Sequence, residues 1–295
     1  MASKQLLVCD LDNTLYDWVA YFVPSFYAMV DAATQIIGCD KEELLDDFRQ
    51  VHQRHGDSEH PFALLETRSV IDRYAGWPVE SILQELDPAF HAFNSARKEN
   101  LKLHPHVRET LDLLTAADIK IVAHTESKLY GVVDRLSRLD LFRYFSRVYC
   151  RERSQSRHPS PKSASDWLAR MPAEKIVELS HNQTKPDPTV LLEICSREGA
   201  DREAVAYIGD SIARDILMAK RANVPSIWAK YGARHAPGLY EKLVRVSHWT
   251  SEEVAREISL REEARSIKPD FIAQTSFVEV LAALDLRRSV HRISV

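Results

Sequence analysis

Residues 5–18 read Gln5-Leu-Leu-Val-Cys9-Asp10-Leu11-Asp12-Asn13-Thr14-Leu-Tyr-Asp-Trp18, an apolar run that stops at two carboxylates flanking one leucine. Leu6 to Cys9 form a short, continuous, β-favouring run, the pattern of a strand buried on both faces of a parallel sheet. Ligands of open α/β sheets bind beyond the carboxyl ends of the strands, so Asp10 and Asp12 stand where a site would form. Asp, Asn and Thr also make ordinary turns, and the stretch acquires meaning only from the rest of the chain. Similar apolar runs recur at Ile119–Ala123, Ala204–Ile208 and Pro225–Ala229, and helical periodicity fills 107–117, 128–138, 187–198 and 212–222. Strand alternating with helix predicts an α/β domain built on a doubly wound parallel sheet.

One interval breaks the rhythm. Between Asp12 and Ile119 no convincing strand occurs, and the residues read as amphipathic helices near 17–37, 40–54, 58–75 and 79–96, punctuated by Gly38, Gly56, Gly76-Trp77-Pro78 and Asp87-Pro88. Asp40 followed by Lys-Glu-Glu is an N-cap with acids in the first turn. This predicts an all-α domain over 17–101 inserted into a discontinuous core of 1–16 and 102–295. The core would carry an extended polar loop at about 151–175 and a charged C-terminal extension at about 232–268, read as an irregular connection followed by a solvated charged helix.

The 295 residues are 45% hydrophobic and 28% charged, which excludes wholesale disorder. With 39 basic and 43 acidic residues the formal charge is −4, so bulk electrostatics give no reason to expect nucleic acid. No apolar run is long enough to span a membrane. The cysteines Cys9, Cys39, Cys150 and Cys195 are scattered without a CxxC pair, and the N-terminal apolar run is too short for a signal peptide. A cytoplasmic protein is expected; oligomeric state is not legible.

Three further features follow strand-like runs in the same sense. Thr125 follows Ile119–His124, Lys185 lies in Thr184-Lys185-Pro186-Asp187-Pro188, and Gly209-Asp210-Ser-Ile-Ala-Arg-Asp215 follows Ala204–Ile208. In order, these features and the DxDxT stretch resemble the four motifs of the haloacid dehalogenase superfamily, over roughly 5–15 and 103–230. The inserted helices correspond to the helical cap (C1 type) of phosphoglycolate phosphatases, β-phosphoglucomutases and several nucleotidases.

Four carboxylates beside a phosphate dianion would repel strongly, so a cation is required, and oxygen-only ligands select a hard ion such as Mg²⁺. The resemblance implies that Asp10 and Asp210 ligate Mg²⁺ through side chains and Asp12 through its backbone carbonyl, with Asp215 in the same site. Asp10 would attack phosphorus to form an aspartyl-phosphate. Asp12 would act as general acid and base, a role that calls for a raised pKa. Thr125 and Lys185 would hold phosphoryl oxygens. Relatives that displace halide or cleave phosphonates generally lack Asp at the position of Asp12, which favours a phosphatase of a small phosphorylated metabolite. A phosphomutase with the same residues and a non-catalytic binding protein on this fold are the alternatives.

Other residues are less telling. Asp10-Leu-Asp-Asn-Thr-Leu-Tyr16 is similar to the same stretch in pyrimidine-nucleotidase-like members. Glu126 departs from the Asn or Gly frequent after the motif II Thr and is expected to point away or to meet a cationic substrate group. The interval from Thr125 to Lys185 is longer than compact members need. Tyr16, Asp17, Tyr21, Arg54, His55, Arg68 and Arg97 are polar candidates for substrate recognition. His52, His55 and His60, without a matching acid or cysteine, read as surface residues. Phe22, Phe26, Tyr27 and Val30 read as core of the inserted helices. Residues 135–162 carry eight basic residues against Asp140 and Glu152 and read as a solvated helix face and loop.

Overall fold

In the computed structural model, which describes residues 5–152 and 171–286, the strands form one parallel sheet. They are β1 (Leu6–Cys9), β2 (Lys120–Lys128), β3 (Arg147–Arg151), β4 (Ile176–Leu179), β5 (Val205–Gly209), β6 (Ser226–Ala229) and β7 (Phe271–Ala273). Their order is β4-β3-β2-β1-β5-β6-β7, so β1 sits between β2 and β5, where the direction of winding reverses. All of β1 is buried. Leu6 and Val8 pack into one apolar layer with Val205, Tyr207 and Met218, while Leu7 and Cys9 pack into the other with Ile121, Ala206 and Ile208. Burying each Leu or Val side chain contributes about 1.5–3 kcal/mol. That anchors the strand whose end carries Asp10.

Between β1 and β2 lie α1 (Trp18–Ile37), α2 (Lys41–His55), α3 (Arg68–Arg73), α4 (Val79–Glu85) and α5 (Asp87–Asn100). Asp17 and Asp40 cap α1 and α2 through their carboxylates, and Gly38 and Gly56 end these helices in the left-handed conformation. The helix expected over 58–75 is interrupted: Pro61 precedes Phe62 in the left-handed region, and a 3-10 turn at Ala63–Glu66 comes before α3. The helix expected over 79–96 divides at Leu86, with Pro88 in the first turn of α5. Phe22, Phe26 and Val30 of α1 are buried as expected, with Phe26 edge-on to Phe48.

The sheet is flanked by α6 (Val107–Ala116), α7 (Leu129–Arg138), α8 (Pro188–Glu198) and α9 (Leu217–Arg221). Strands β3, β4 and β7 escape a reading by apolar runs: β3 has arginine at both ends, β4 carries Glu178, and β7 is three residues long. Most of the loop expected at about 151–175 and part of the basic segment fall on 153–170, outside the described residues. No helix among the described residues is long and apolar enough to cross a membrane.

The irregular connection expected in the first half of 232–268 requires correction. It holds α10 (Leu239–Val246) and α11 (Ser251–Glu263), and α10 docks on α1 and α2. Leu243 and Val246 are buried there, the Val246 carbonyl accepts from His52 Nδ1 at 2.6 Å, and Arg245 pairs with Glu42 and Asp46. Two apolar residues one turn apart suffice to dock a short helix; a charge count over the segment averages them away. The charged helix α11, whose Thr250 and Glu253 form a reciprocal cap, has no buried residue, as expected of a solvated helix.

Candidate active site

Immediately after β1 the Asp10 N–H donates to the Ile208 carbonyl at 2.9 Å, which pins the residue to β5. Asn13 turns the chain through a left-handed conformation and accepts the Trp18 N–H on Oδ1. Thr14 is buried, and its hydroxyl donates to Asp10 Oδ2 at 2.9 Å. The turn is braced from beyond β6: Tyr231 donates to the Thr14 carbonyl at 2.6 Å, and a Cβ at Gly232 would lie 1.7 Å from the Asn13 carbonyl oxygen. His104 Nε2 reaches the same oxygen at 3.1 Å.

Lys185, brought by the connection from β4 to α8, is buried. Its Nζ lies 2.5 Å from Asp10 Oδ1 and 2.8 Å from Asp215 Oδ1. Asp210 follows β5 directly, and Asp215 reaches the same point because Ile212–Ile216 form a π-type turn that opens α9. That turn is the bend required for two aspartates five residues apart to converge. Asp215 is held by the Tyr207 hydroxyl at 3.1 Å and the Ser211 N–H at 3.0 Å. Gly209 makes room: a Cβ there would stand 2.3 Å from Asp215 Cγ. Asp10, Asp210 and Asp215 each offer a carboxylate oxygen within 4.8 Å of the other two.

Thr125 lies buried in β2, where the pairing with β3 shifts register, and its hydroxyl accepts the Ser127 N–H at 3.1 Å. The Ser127 hydroxyl donates to Asp12 Oδ2 at 2.5 Å. Glu126 points away from Asp10: it accepts from Arg214 at 2.6 Å and from the Lys185 N–H at 3.2 Å, tying three motif loops together.

Burial raises the Asp10 carboxyl to about 7, with Lys185 pulling it down and Asp215 pushing it up. Burial, then the charges of Asp10 and Asp215, raise Asp210 well above the ordinary range. Burial works against the Lys185 ammonium, but Asp10 and Asp215 more than offset it and hold the lysine charged. Several carboxylates thus share one ammonium in a buried space, an all-oxygen donor set short of positive charge. That is the chemistry that suits a hard divalent cation.

The profile of haloacid dehalogenase-like hydrolases matches residues 4–223. The chain belongs to this family. The haloacid dehalogenase-like chain is 26% identical over 238 residues to the phosphoglycolate phosphatase of Agrobacterium fabrum, covering 79% of this chain and 83% of that one. It is 26% identical over 229 residues to the glyceraldehyde 3-phosphate phosphatase of Methanopyrus kandleri, covering 76% and 82%. The crystal structure of a 2-haloacid dehalogenase from Pseudomonas syringae aligns with a TM-score of 0.55 at 19% identity, over 97% of this chain and 99% of that one, a likeness of fold.

In this haloacid dehalogenase-like hydrolase the basic segment needs a second correction. Arg135 is 1% exposed. From α7 its guanidinium meets Glu59 at 2.6 Å, Asp12 Oδ1 at 3.3 Å and the Tyr16 hydroxyl at 3.0 Å, and Tyr21 donates to Glu59 at 3.1 Å. Neither Arg135 nor Glu59 stood out in the sequence. The available signal was an arginine on the helix face that also carries Val132 and Leu136, together with a carboxylate from a distant segment to neutralise it. Of the polar candidates, Tyr16 and Tyr21 enter this network, Arg97 pairs with Asp134, and Asp17 caps α1. Arg54 and Arg68 are exposed.

The histidines are a third correction. His52 and His60 are buried, and the acid absent from their neighbourhood in sequence is Glu66, which accepts from both His55 and His60.

Proposed function

We propose that this protein is a Mg²⁺-dependent phosphatase that hydrolyses a small phosphate monoester through an aspartyl-phosphate on Asp10, with the helices over 17–101 serving as a cap over the site. The observation that carries the reading is the buried Asp10–Lys185 contact at 2.5 Å beside Asp12, Asp210 and Asp215. Two phosphatases of three-carbon or smaller metabolites among the relatives support the reaction class.

Asp10 and Asp210 would hold the ion through their carboxylates and Asp12 through its carbonyl, with Asp215 beside them. When bound, Mg²⁺ supplies neutralisation of the phosphoryl charge. Thr14 fixes one Asp10 oxygen, and the other forms the bond to phosphorus as the bond to the ester oxygen breaks. Asp12 gives its proton to the departing oxygen. It then takes a proton from the water that attacks phosphorus, which breaks the Asp10–phosphoryl bond and releases inorganic phosphate. Ser127 and Arg135 orient Asp12 for both transfers, while Lys185 and Thr125 hold phosphoryl oxygens. Asp215 keeps Lys185 in place.

The test is inorganic phosphate release with Mg²⁺ across a panel containing 2-phosphoglycolate, glyceraldehyde 3-phosphate, sugar phosphates and nucleoside monophosphates. Turnover of at least one member, lost in Asp10→Asn, is expected. A fully active Asp10→Asn enzyme overturns the mechanism, and phosphoryl return to substrate without phosphate release makes it a mutase.

A further inference from the structure

The cluster at His55, His60 and Glu66 lies outside the acidic site and is independent of the phosphatase reading. His55 Nε2 lies 2.7 Å from Glu66 Oε2 and His60 Nε2 lies 2.8 Å from Glu66 Oε1. The imidazoles stack with centroids 3.6 Å apart and planes within 5°. All three residues offer a ligand atom within 4.8 Å of one another.

Three details bear on what the cluster can hold. Neutral imidazole nitrogens with one carboxylate make an N₂O set, which suits zinc and its neighbours rather than Mg²⁺. His60 Nε2 donates to Glu66, while its Nδ1 is buried without a partner among the described residues, so a metal that takes the Nε2 lone pair shifts the ring proton to Nδ1. The site also has a way in, since the side chains of His55 and Glu66 are 23% and 35% exposed while that of His60 is fully buried. Two cations lie near. Arg54 stands 3.9 Å from Glu66 on a side chain free to swing into solvent, and Lys128 is engaged with the His55 carbonyl and Asp57.

We infer that His55, His60 and Glu66 form a three-ligand site for a zinc-class divalent transition-metal ion, with water completing the coordination. Tetrahedral zinc with bonds of about 2.0–2.1 Å sets its ligand atoms about 3.3 Å apart. Binding therefore backs Glu66 away by about half an ångström and tilts the His55 ring out of the stack. The ion closes the chain between the end of α2 and the 3-10 turn at Ala63–Glu66. It thereby braces the loop that carries Glu59 to Arg135.

The experiment uses the full chain, stripped with chelator and returned to saturating Mg²⁺ so that the acidic site is filled. It is titrated with Zn²⁺ by calorimetry and with Co²⁺ by visible absorption. One equivalent is expected to bind, with d–d bands of a nitrogen and oxygen environment, and binding is retained in Asp210→Asn. In Glu66→Gln and His55→Ala, affinity is expected to fall by at least the ~10–100-fold that losing even an outer-shell partner costs. Uptake of no ion, equal uptake by wild type and both variants, or loss of the ion in Asp210→Asn alone overturns the proposal.

Discussion

His52 joins two distant parts of the chain, and its burial makes that junction sensitive to acid. Its imidazole is 1% exposed, lies among Phe26 and Phe48, and donates from Nδ1 to the Val246 carbonyl of α10 at 2.6 Å. Burial lowers its pKa to about 4, against about 6.5 in the unfolded chain. Below pH 6.5 the unfolded state takes up a proton that the folded state refuses, so stability falls as pH falls until the folded pKa is reached. The loss between pH 7 and pH 5 amounts to about 2 kcal/mol, rising to about 3 kcal/mol near pH 4. Other groups titrate over the same range, so the measurement is a difference. His52→Asn keeps an N–H donor and removes the titration. Urea unfolding at pH 7, 6 and 5 is expected to show wild type losing about 2 kcal/mol more than His52→Asn. Parallel pH dependences for the two proteins would refute a neutral, buried His52.

Other perturbations test the site itself. Gly232→Ala drives a Cβ into the Asn13 carbonyl and is expected to cost about 2 kcal/mol or more, read as a lower Tm, together with most of the activity. Glu126→Gln weakens the tie between Arg214 and the Lys185 backbone, so kcat is expected to fall about 10–100-fold; an unchanged kcat would show that the tie does not position Lys185. Tyr207→Phe removes a buried hydrogen bond to Asp215 and is expected to destabilise by about 1–2 kcal/mol in denaturant titration. Chelation should abolish phosphate release and added Mg²⁺ should restore it; activity unaffected by chelator would count against the cation.

Much of the site was legible because backbone geometry, and little else, positions it. A residue directly after a buried parallel strand lies at the sheet edge whatever the remainder of the chain does. Asp10 and Asp210 could therefore be located from two apolar runs, whereas Thr125 lies inside β2, which runs on to Lys128. The weaker strands were illegible for the same reason in reverse: Arg147, Arg151 and Glu178 interrupt the apolar signal at positions where the flanking sheet tolerates them. The inserted helices were visible by periodicity, while their breaks at Phe62 and Leu86 depend on local backbone conformation.

What the sequence determined by itself is that Asp10 and Asp210 follow buried strands at one edge of the sheet, while Asp12, Lys185 and Asp215 were placed beside them by resemblance to the family's motifs. What only the tertiary structure decided is which partners those groups have. Arg135 reads as one more charge on a helix until Glu59, 76 residues away in sequence, is folded against it. His55 and His60 read as surface residues until Glu66 turns back toward them. The connection before the charged helix reads as irregular until Val246 meets His52. The physical reason is that a charge in sequence carries no sign of burial. Whether it is solvated, neutralised or available to a ligand depends on a second group brought to within about 3 Å by packing alone.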